Sequence, residues 1–231
     1  MRELLSCCST WGVLLTMAAF ALGSFLNRKT GKAWLNPLLL ASIFVIVFLS
    51  VFGIPYAEYK GSALPVSYLL LPATVSLAVP LYEKWELLRH NFAAIMAGIL
   101  AGTLTSLGSI TAMAWLLKLQ RHHAITLLPK SVTTAIGMDV AAELGGVAAL
   151  SGAVIILTGI VGNVLAESVC RLFRITDPMS RGIAIGTSSH AIGTSKALEL
   201  GKVEGAMSGL AIAVAGVLTA FLAPVFAGFL P

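Results

Sequence analysis

Charged residues fall in clusters along the chain. Between the clusters lie six charge-free runs: Leu4–Asn27, Ala33–Ala57, Gly61–Tyr82, Asn91–Leu117, Leu144–Ala166 and Gly205–Pro231, of 24, 25, 22, 27, 23 and 27 residues. About 20 apolar residues, rising 1.5 Å each along a helix, cross the hydrocarbon core of a bilayer. Every run meets that length. The pattern predicts one all-α integral membrane domain over residues 1–231, a polytopic bundle of six long transmembrane helices with additional broken or re-entrant half-helices.

The half-helices are expected where apolar stretches carry prolines, hydroxyls or charges. Backbone freed by a break cannot be satisfied by hydrocarbon, so such a break persists only against protein or a water-filled cavity. Three such segments recur at an offset of 57 residues. Leu70-Leu71-Pro72-Ala73-Thr74-Val75-Ser76 aligns with Leu127-Leu128-Pro129-Lys130-Ser131-Val132-Thr133. The same step reaches Ala184-Ile185-Gly186-Thr187-Ser188-Ser189-His190, where the small and hydroxyl character survives. Each precedes a long apolar helix, which reads as an internal repeat of broken segment plus span.

Composition agrees with this picture. The hydrophobic share is 58%, mean hydropathy is +0.93, and 25 of 231 residues (15 Lys+Arg, 10 Asp+Glu) are charged, or 11%. Soluble domains carry about 25%, so this chain has too little charge to wet a soluble surface. The net charge of +5 is spread over short loops, which suits a positive-inside bias rather than nucleic-acid binding. The basic loops Arg28–Lys32 and Arg171–Arg181 can share a face only if an even number of crossings separates them. The polar segment Leu127–Leu144 is therefore expected to enter and leave by one face, which puts the N-terminus outside. Arg28, Lys29 and Lys32 flank the first run as they would a signal anchor. Cys7, Cys8 and Cys170 offer neither a disulfide framework nor a metal spacing, and His122-His123 lacks further ligands. No metal or cofactor is expected.

Candidate chemistry concentrates in the broken segments. Pro129-Lys130-Ser131-Val132-Thr133-Thr134 has the composition of a helix start, where free N–H groups attract anions and Lys130 adds a full charge. Asp139 and Glu143, at i and i+4, are candidates for proton or cation coupling. Gly186-Thr187-Ser188 returns as Gly193-Thr194-Ser195, and on a straight helix Gly186, His190, Gly193 and Ala197 form one stripe. A stripe made only for packing needs no imidazole, so a lined cavity is expected there. Ser189 and His190 cannot act as a nucleophile–base pair, because adjacent helical residues point about 100° apart. No enzyme activity is expected.

The phrase Leu128-Pro129-Lys130-Ser131-Val132-Thr133-Thr134, followed by Gly186-Thr187-Ser188-Ser189-His190-Ala191-Ile192-Gly193-Thr194, resembles the signature of the LrgB/CidB family. Leu71-Pro72-Ala73-Thr74-Val75-Ser76-Leu77-Ala78-Val79-Pro80-Leu81-Tyr82 is similar to that family's first motif. The likeness runs from about Leu35 to the C-terminus. Ala135 stands where the family pattern has a proline, and Ser189 and Ser195 where it often has alanine.

The resemblance implies a multi-pass protein of the bacterial cytoplasmic membrane with an LrgA/CidA-like membrane partner, and leaves homo-oligomerisation open. It implies either of two roles, a holin- or antiholin-like modulator of murein hydrolase export and lysis, or a carrier of small monocarboxylates such as pyruvate, lactate or glycolate. Cationic, hydroxyl-rich broken helices suit the carrier better. On that reading Lys130 pairs with the substrate carboxylate, and Ser131, Thr133 and Thr134 donate to its oxygens. Ser188, Ser189 and Thr194 face them, with Gly193 allowing close approach. His190 binds substrate or carries a coupling proton, and Lys196 is a weaker cationic candidate. Pro72, Thr74 and Pro80 form the opposing irregular helix. Access alternates around this midplane site with proton or cation coupling.

Overall fold

The computed structural model describes residues 10–30, 37–69, 72, 75–76, 78–83 and 85–231. The described residues form helices and turns, without a strand, and the chain divides into two compact units, Met1–Ser76 and Leu77–Pro231.

In the first unit α1 (Trp11–Thr30) lies against α2 (Pro37–Phe52), and two short helices follow, α3 (Tyr56–Ser62) and α4 (Leu64–Tyr68). Glycines set the approach of α1: a Cβ on Gly23 would stand 2.6 Å from the Pro37 carbonyl. Gly53 closes α2 in the left-handed conformation (φ 60°), with Ile54 N donating back to Leu49 O at 2.9 Å. That is a Schellman closure, which glycine makes without a Cβ penalty, and Pro55 prevents the helix from resuming. Leu4–Asn27 and Ala33–Ala57 thus yield helices of 20 and 16 residues. Thr16 Oγ1 and Tyr59 OH, 2.8 Å apart, tie α1 to α3.

The second unit begins with α5 (Ala78–Glu83) and α6 (Trp85–His90). It continues with α7 (Phe92–Leu116), α8 (Arg121–Leu127), α9 (Thr134–Glu143), α10 (Ala148–Leu172), α11 (Pro178–Leu200) and α12 (Lys202–Gly228). Of the six long spans expected, three appear among the described residues as helices long and apolar enough to cross a membrane: α7, α10 and α12. Within Gly61–Tyr82 the described residues include the end of α3, all of α4 and most of α5.

In α7 the buried positions Ile95, Ile99, Thr103, Leu107, Ile110 and Ala114 repeat every three or four residues and face α12. There they meet small side chains, among them Ala206, Ala211, Ala215, Ala223 and Ala227. Val217, Phe221 and Val225 form an exposed bulky face of α12, while Met207 and Ile212 are buried. A mainly small inner face opposite an exposed bulky one is the arrangement of helices that pack tightly in lipid, where large apolar groups gain little by leaving the surface.

Asp177 starts α11. Its carboxylate accepts from Ser180 N and Ser180 Oγ, both at 2.8 Å, and the backbone bond above all holds its carboxyl below the usual range. α11 then breaks at His190, whose φ of 43° and ψ of −142° are not helical. The break removes the single stripe expected from Gly186, His190, Gly193 and Ala197. Gly186 lies against α12, where a Cβ would meet Ser208 O at 2.5 Å. His190 turns to α10, and Gly193 folds back onto Ser189 and Ile185. Ala197 packs with Ala166.

The offset of 57 carries α9 (134–143) onto 191–200, the part of α11 after its break, and α10 (148–172) onto 205–229, nearly all of α12. Non-helical residues precede the two restarts at equivalent positions, Thr133 and His190. Most of 70–76, the first of the aligned segments, lies outside the described residues.

The close approach at Gly186 predicts that Gly186→Val costs about 1–3 kcal/mol through overpacking. Gly228→Ala should be near neutral, because nothing lies within 4 Å of a Cβ there. Thermal unfolding of the detergent-solubilised protein, followed by tryptophan fluorescence, measures both.

Candidate functional site

Pro129 has no N–H to continue α8. Two tight turns follow, with Lys130 N donating to Leu127 O at 3.1 Å and Val132 N to Pro129 O at 3.3 Å. Thr133 is extended (φ −63°, ψ 148°) and α9 begins at Thr134. The helix start expected at Pro129 therefore comes five residues later. Pro129 instead terminates the preceding helix, and the Thr133 side chain makes no capping bond.

This break carries Lys130 and Ser131 to a cleft of about 550 Å³ between α7 and the first half of α11. From α7 it is lined by Gly98, Gly102, Thr105, Ser106 and Ser109, and from α11 by Thr187 and Ser188. Gly102 lets α11 close in, since a Cβ there would stand 2.9 Å from Thr187 Oγ1. A second cleft, of about 530 Å³, borders α10 and has mainly apolar walls. Lys130, Ala184 and Ser188 line both clefts and form the partition between them.

Hydrogen bonding at the partition leaves specific groups unspent. Lys130 Nζ donates to Ser131 Oγ at 3.1 Å, and Ser106 Oγ donates to the same oxygen at 2.9 Å. Ser131 thus has both lone pairs occupied while its own proton, and two of the three ammonium protons, remain available. Among the described residues no carboxylate lies within 4 Å of the half-buried Lys130 ammonium. Ser188 Oγ donates to Ala184 O at 2.7 Å and lies 3.0 Å from Ser189 Oγ, so it must leave Ala184 to donate into the cleft.

The second break is satisfied by protein. His190 is 2% exposed, and its Nε2 donates to Ile155 O at 2.9 Å. Thr194 Oγ1 donates to His190 O at 3.0 Å, and Asn163 Nδ2 reaches Ile192 O at 2.8 Å and Ser195 Oγ at 3.0 Å. Gly159 and Gly162 of α10 make room for the His190 ring and for Ser189.

The expected site residues therefore separate. Lys130, Ser131, Ser188 and Ser189 line the clefts. Thr133, Thr134, His190, Gly193 and Thr194 line neither of them. Thr194 is spent in the core on Ser208, 2.7 Å away. Asp139 and Glu143 share one face of α9, as their spacing requires, but that face is exposed and borders neither cleft. Lys196 pairs with Glu199 at 3.2 Å and Glu167 at 3.8 Å. Pro72 is exposed in the first unit, and Thr74 lies outside the described residues.

The α7 wall was not anticipated, although a signal existed. Gly98, Gly102, Thr105, Ser106 and Ser109 fall at i, i+4, i+7, i+8 and i+11, a small and hydroxyl face within an otherwise apolar run. Among the described residues no group of three or more His, Cys, Asp or Glu could hold a metal ion.

A family model described as the LrgB-like family matches residues 16–229 of the chain, running through both units. No solved structure matches it.

A half-buried ammonium without a counter-ion is a local cost to the empty protein. Lys130→Met should therefore raise the stability of the ligand-free protein in detergent by about 1 kcal/mol, read as a higher Tm. A lower Tm would mean that the ammonium already has a stabilising partner.

Proposed function

The chain belongs to the LrgB-like family, and we propose that this membrane protein of the LrgB/CidB class carries small monocarboxylates of the pyruvate, lactate and glycolate class. The observation that carries this reading is the unpaired Lys130 ammonium in a hydroxyl-lined cleft. Its two free protons and the Ser131 proton can engage both oxygens of one carboxylate. A charge-assisted bond of this kind is about twice as strong as a neutral one. Thr105, Ser106 and Ser109 supply further hydroxyls for a keto or hydroxy group on the neighbouring carbon.

Transport requires the partition of Lys130, Ala184 and Ser188 to be reachable from one face of the membrane and then the other. The match between α9–α10 and the second half of α11 with α12 supports an internal repeat, and movement of one repeat against the other would supply that change. Carrying a bare carboxylate through low dielectric is costly, so a proton or cation accompanies it. His190 is held by Ile155 and Asn163 braces the chain beyond it, which supports a positioning role for the break rather than proton carriage. An LrgA-like membrane partner and a place in the bacterial cytoplasmic membrane belong to the same reading.

A holin- or antiholin-like role in murein hydrolase export and lysis is the rival. It gives no use to an unpaired cation beside stacked hydroxyls. Proteoliposomes offered labelled pyruvate, lactate, acetate and glycolate discriminate the two, with and without a pH gradient and an LrgA-like partner. We expect saturable uptake of at least one acid, reduced on the order of 100-fold by Lys130→Met, the loss of two charge-assisted bonds. Flat uptake of all four under every condition would leave the lysis-modulating role as the better account.

A further inference from the structure

The second cleft needs its own occupant, because its walls do not suit a carboxylate. Leu157, Val161, Leu165 and Val169 follow one another at intervals of four residues on a single face of α10, and all are exposed. From Leu157 to Val169 is 12 residues, about 18 Å of helix at 1.5 Å each. That is close to one leaflet of a hydrocarbon core about 30 Å thick. One end of the cleft is the Lys130–Ser188 partition.

The cleft also includes Cys170 and Ile175, and these two residues line a third cavity, of about 260 Å³, where α10 ends and α11 begins. That cavity is lined by Arg171, Arg174 and Arg181, with Glu167 the one acid among its lining residues. Arg171 is paired with Glu167 at 3.0 Å. Arg181 is anchored by its Nε, which donates to Ile175 O at 2.8 Å, so its two terminal amino groups project from a fixed base. Arg174 sits in the left-handed region (φ 55°) at the turn out of α10. Among the described residues neither Arg174 nor Arg181 has a carboxylate within 4 Å.

Two unpaired guanidinium groups at the mouth of an apolar groove one leaflet long match one class of molecule. We propose that this face binds an anionic phospholipid. Its phosphodiester lies on Arg174 and Arg181, and one acyl chain lies along the α10 groove toward the partition. A guanidinium fork suits phosphate oxygens, and cationic pockets between helices at the membrane face are suited to anionic headgroups. The acyl chain keeps water out of the apolar side of the partition. The inference rests on the arginine cavity and the groove, and it stands or falls separately from the carrier reading.

Native mass spectrometry of the full chain in mild detergent tests it. Phosphatidylglycerol and phosphatidylcholine with identical acyl chains are titrated against the wild type, Arg174→Gln, the double variant Arg174→Gln/Arg181→Gln, and the groove-filling Val161→Trp. We expect phosphatidylglycerol to be retained on the order of tenfold better than phosphatidylcholine, and that preference to vanish in the double variant. Val161→Trp should weaken both lipids. Arg174→Gln removes only an exposed side chain, so its expected partial loss keeps the test readable if the double variant does not fold. Equal retention of the two lipids by the wild type, or an undiminished preference in Arg174→Gln, overturns the proposal. So does displacement of phosphatidylglycerol by soluble glycerophosphate at equal concentration, which would mark a site for free phosphoanions.

Discussion

A helix broken away from water must return each freed backbone group to a partner, and the arrangement around α11 follows from that constraint. His190 interrupts the helix, Thr194 takes up the His190 carbonyl, and Asn163 reaches across from α10 to the carbonyl of Ile192. An unmade bond of this kind costs about 1–3 kcal/mol when buried. Satisfying them fixes α10 and α11 against each other through Gly159 and Gly162, and this directs Ser188 toward Lys130. The imidazole is thus spent within the protein, and the charge that faces the clefts belongs to the other break.

The two breaks use different means. At Pro129 a missing donor stops the helix, and the turn it produces exposes an ammonium to two clefts. At His190 a non-glycine residue is held at positive φ, a conformation that surroundings must impose. One break presents a charged side chain to the clefts while the other is braced by protein. That asymmetry gives the partition a fixed side and a charged side.

Much of this was legible in the residues, for reasons that can be stated. Charge-free runs located α7, α10 and α12 because length and hydropathy alone decide a span. The segments read as broken, 127–133 and 184–190, contain the non-helical Thr133 and His190, because prolines, glycines and clustered hydroxyls in an apolar run mark backbone that does not continue as a plain span. Lys130 could be singled out because a lone cation in a broken apolar segment has few structural uses. Direction was not legible. Asp139 and Glu143 share a face at i and i+4 whether that face looks inward or outward, and here it looks outward. Nor could a stripe drawn on a straight helix survive a break at its own second member, His190. The hydroxyl face of α7 has helical spacing, but it lies within a charge-free run whose length and hydropathy alone already account for a span.

The two clefts also give the partition a chemical polarity. One side offers hydroxyls and ammonium protons, and the other offers hydrocarbon walls. Lys130 borders both, so the partition sets a polar surface and an apolar one on either side of a single cation.

Whether Lys130 holds a carboxylate in the α7-lined cleft can be read from thiol accessibility. With Cys7, Cys8 and Cys170 replaced by serine, Ser106→Cys places a thiol on the cleft wall, and its rate of reaction with a small anionic methanethiosulfonate reagent is measured. Pyruvate or lactate, but not their methyl esters, should slow that reaction, and Lys130→Met should abolish the protection. A rate indifferent to carboxylates, or protection that survives Lys130→Met, would contradict the account.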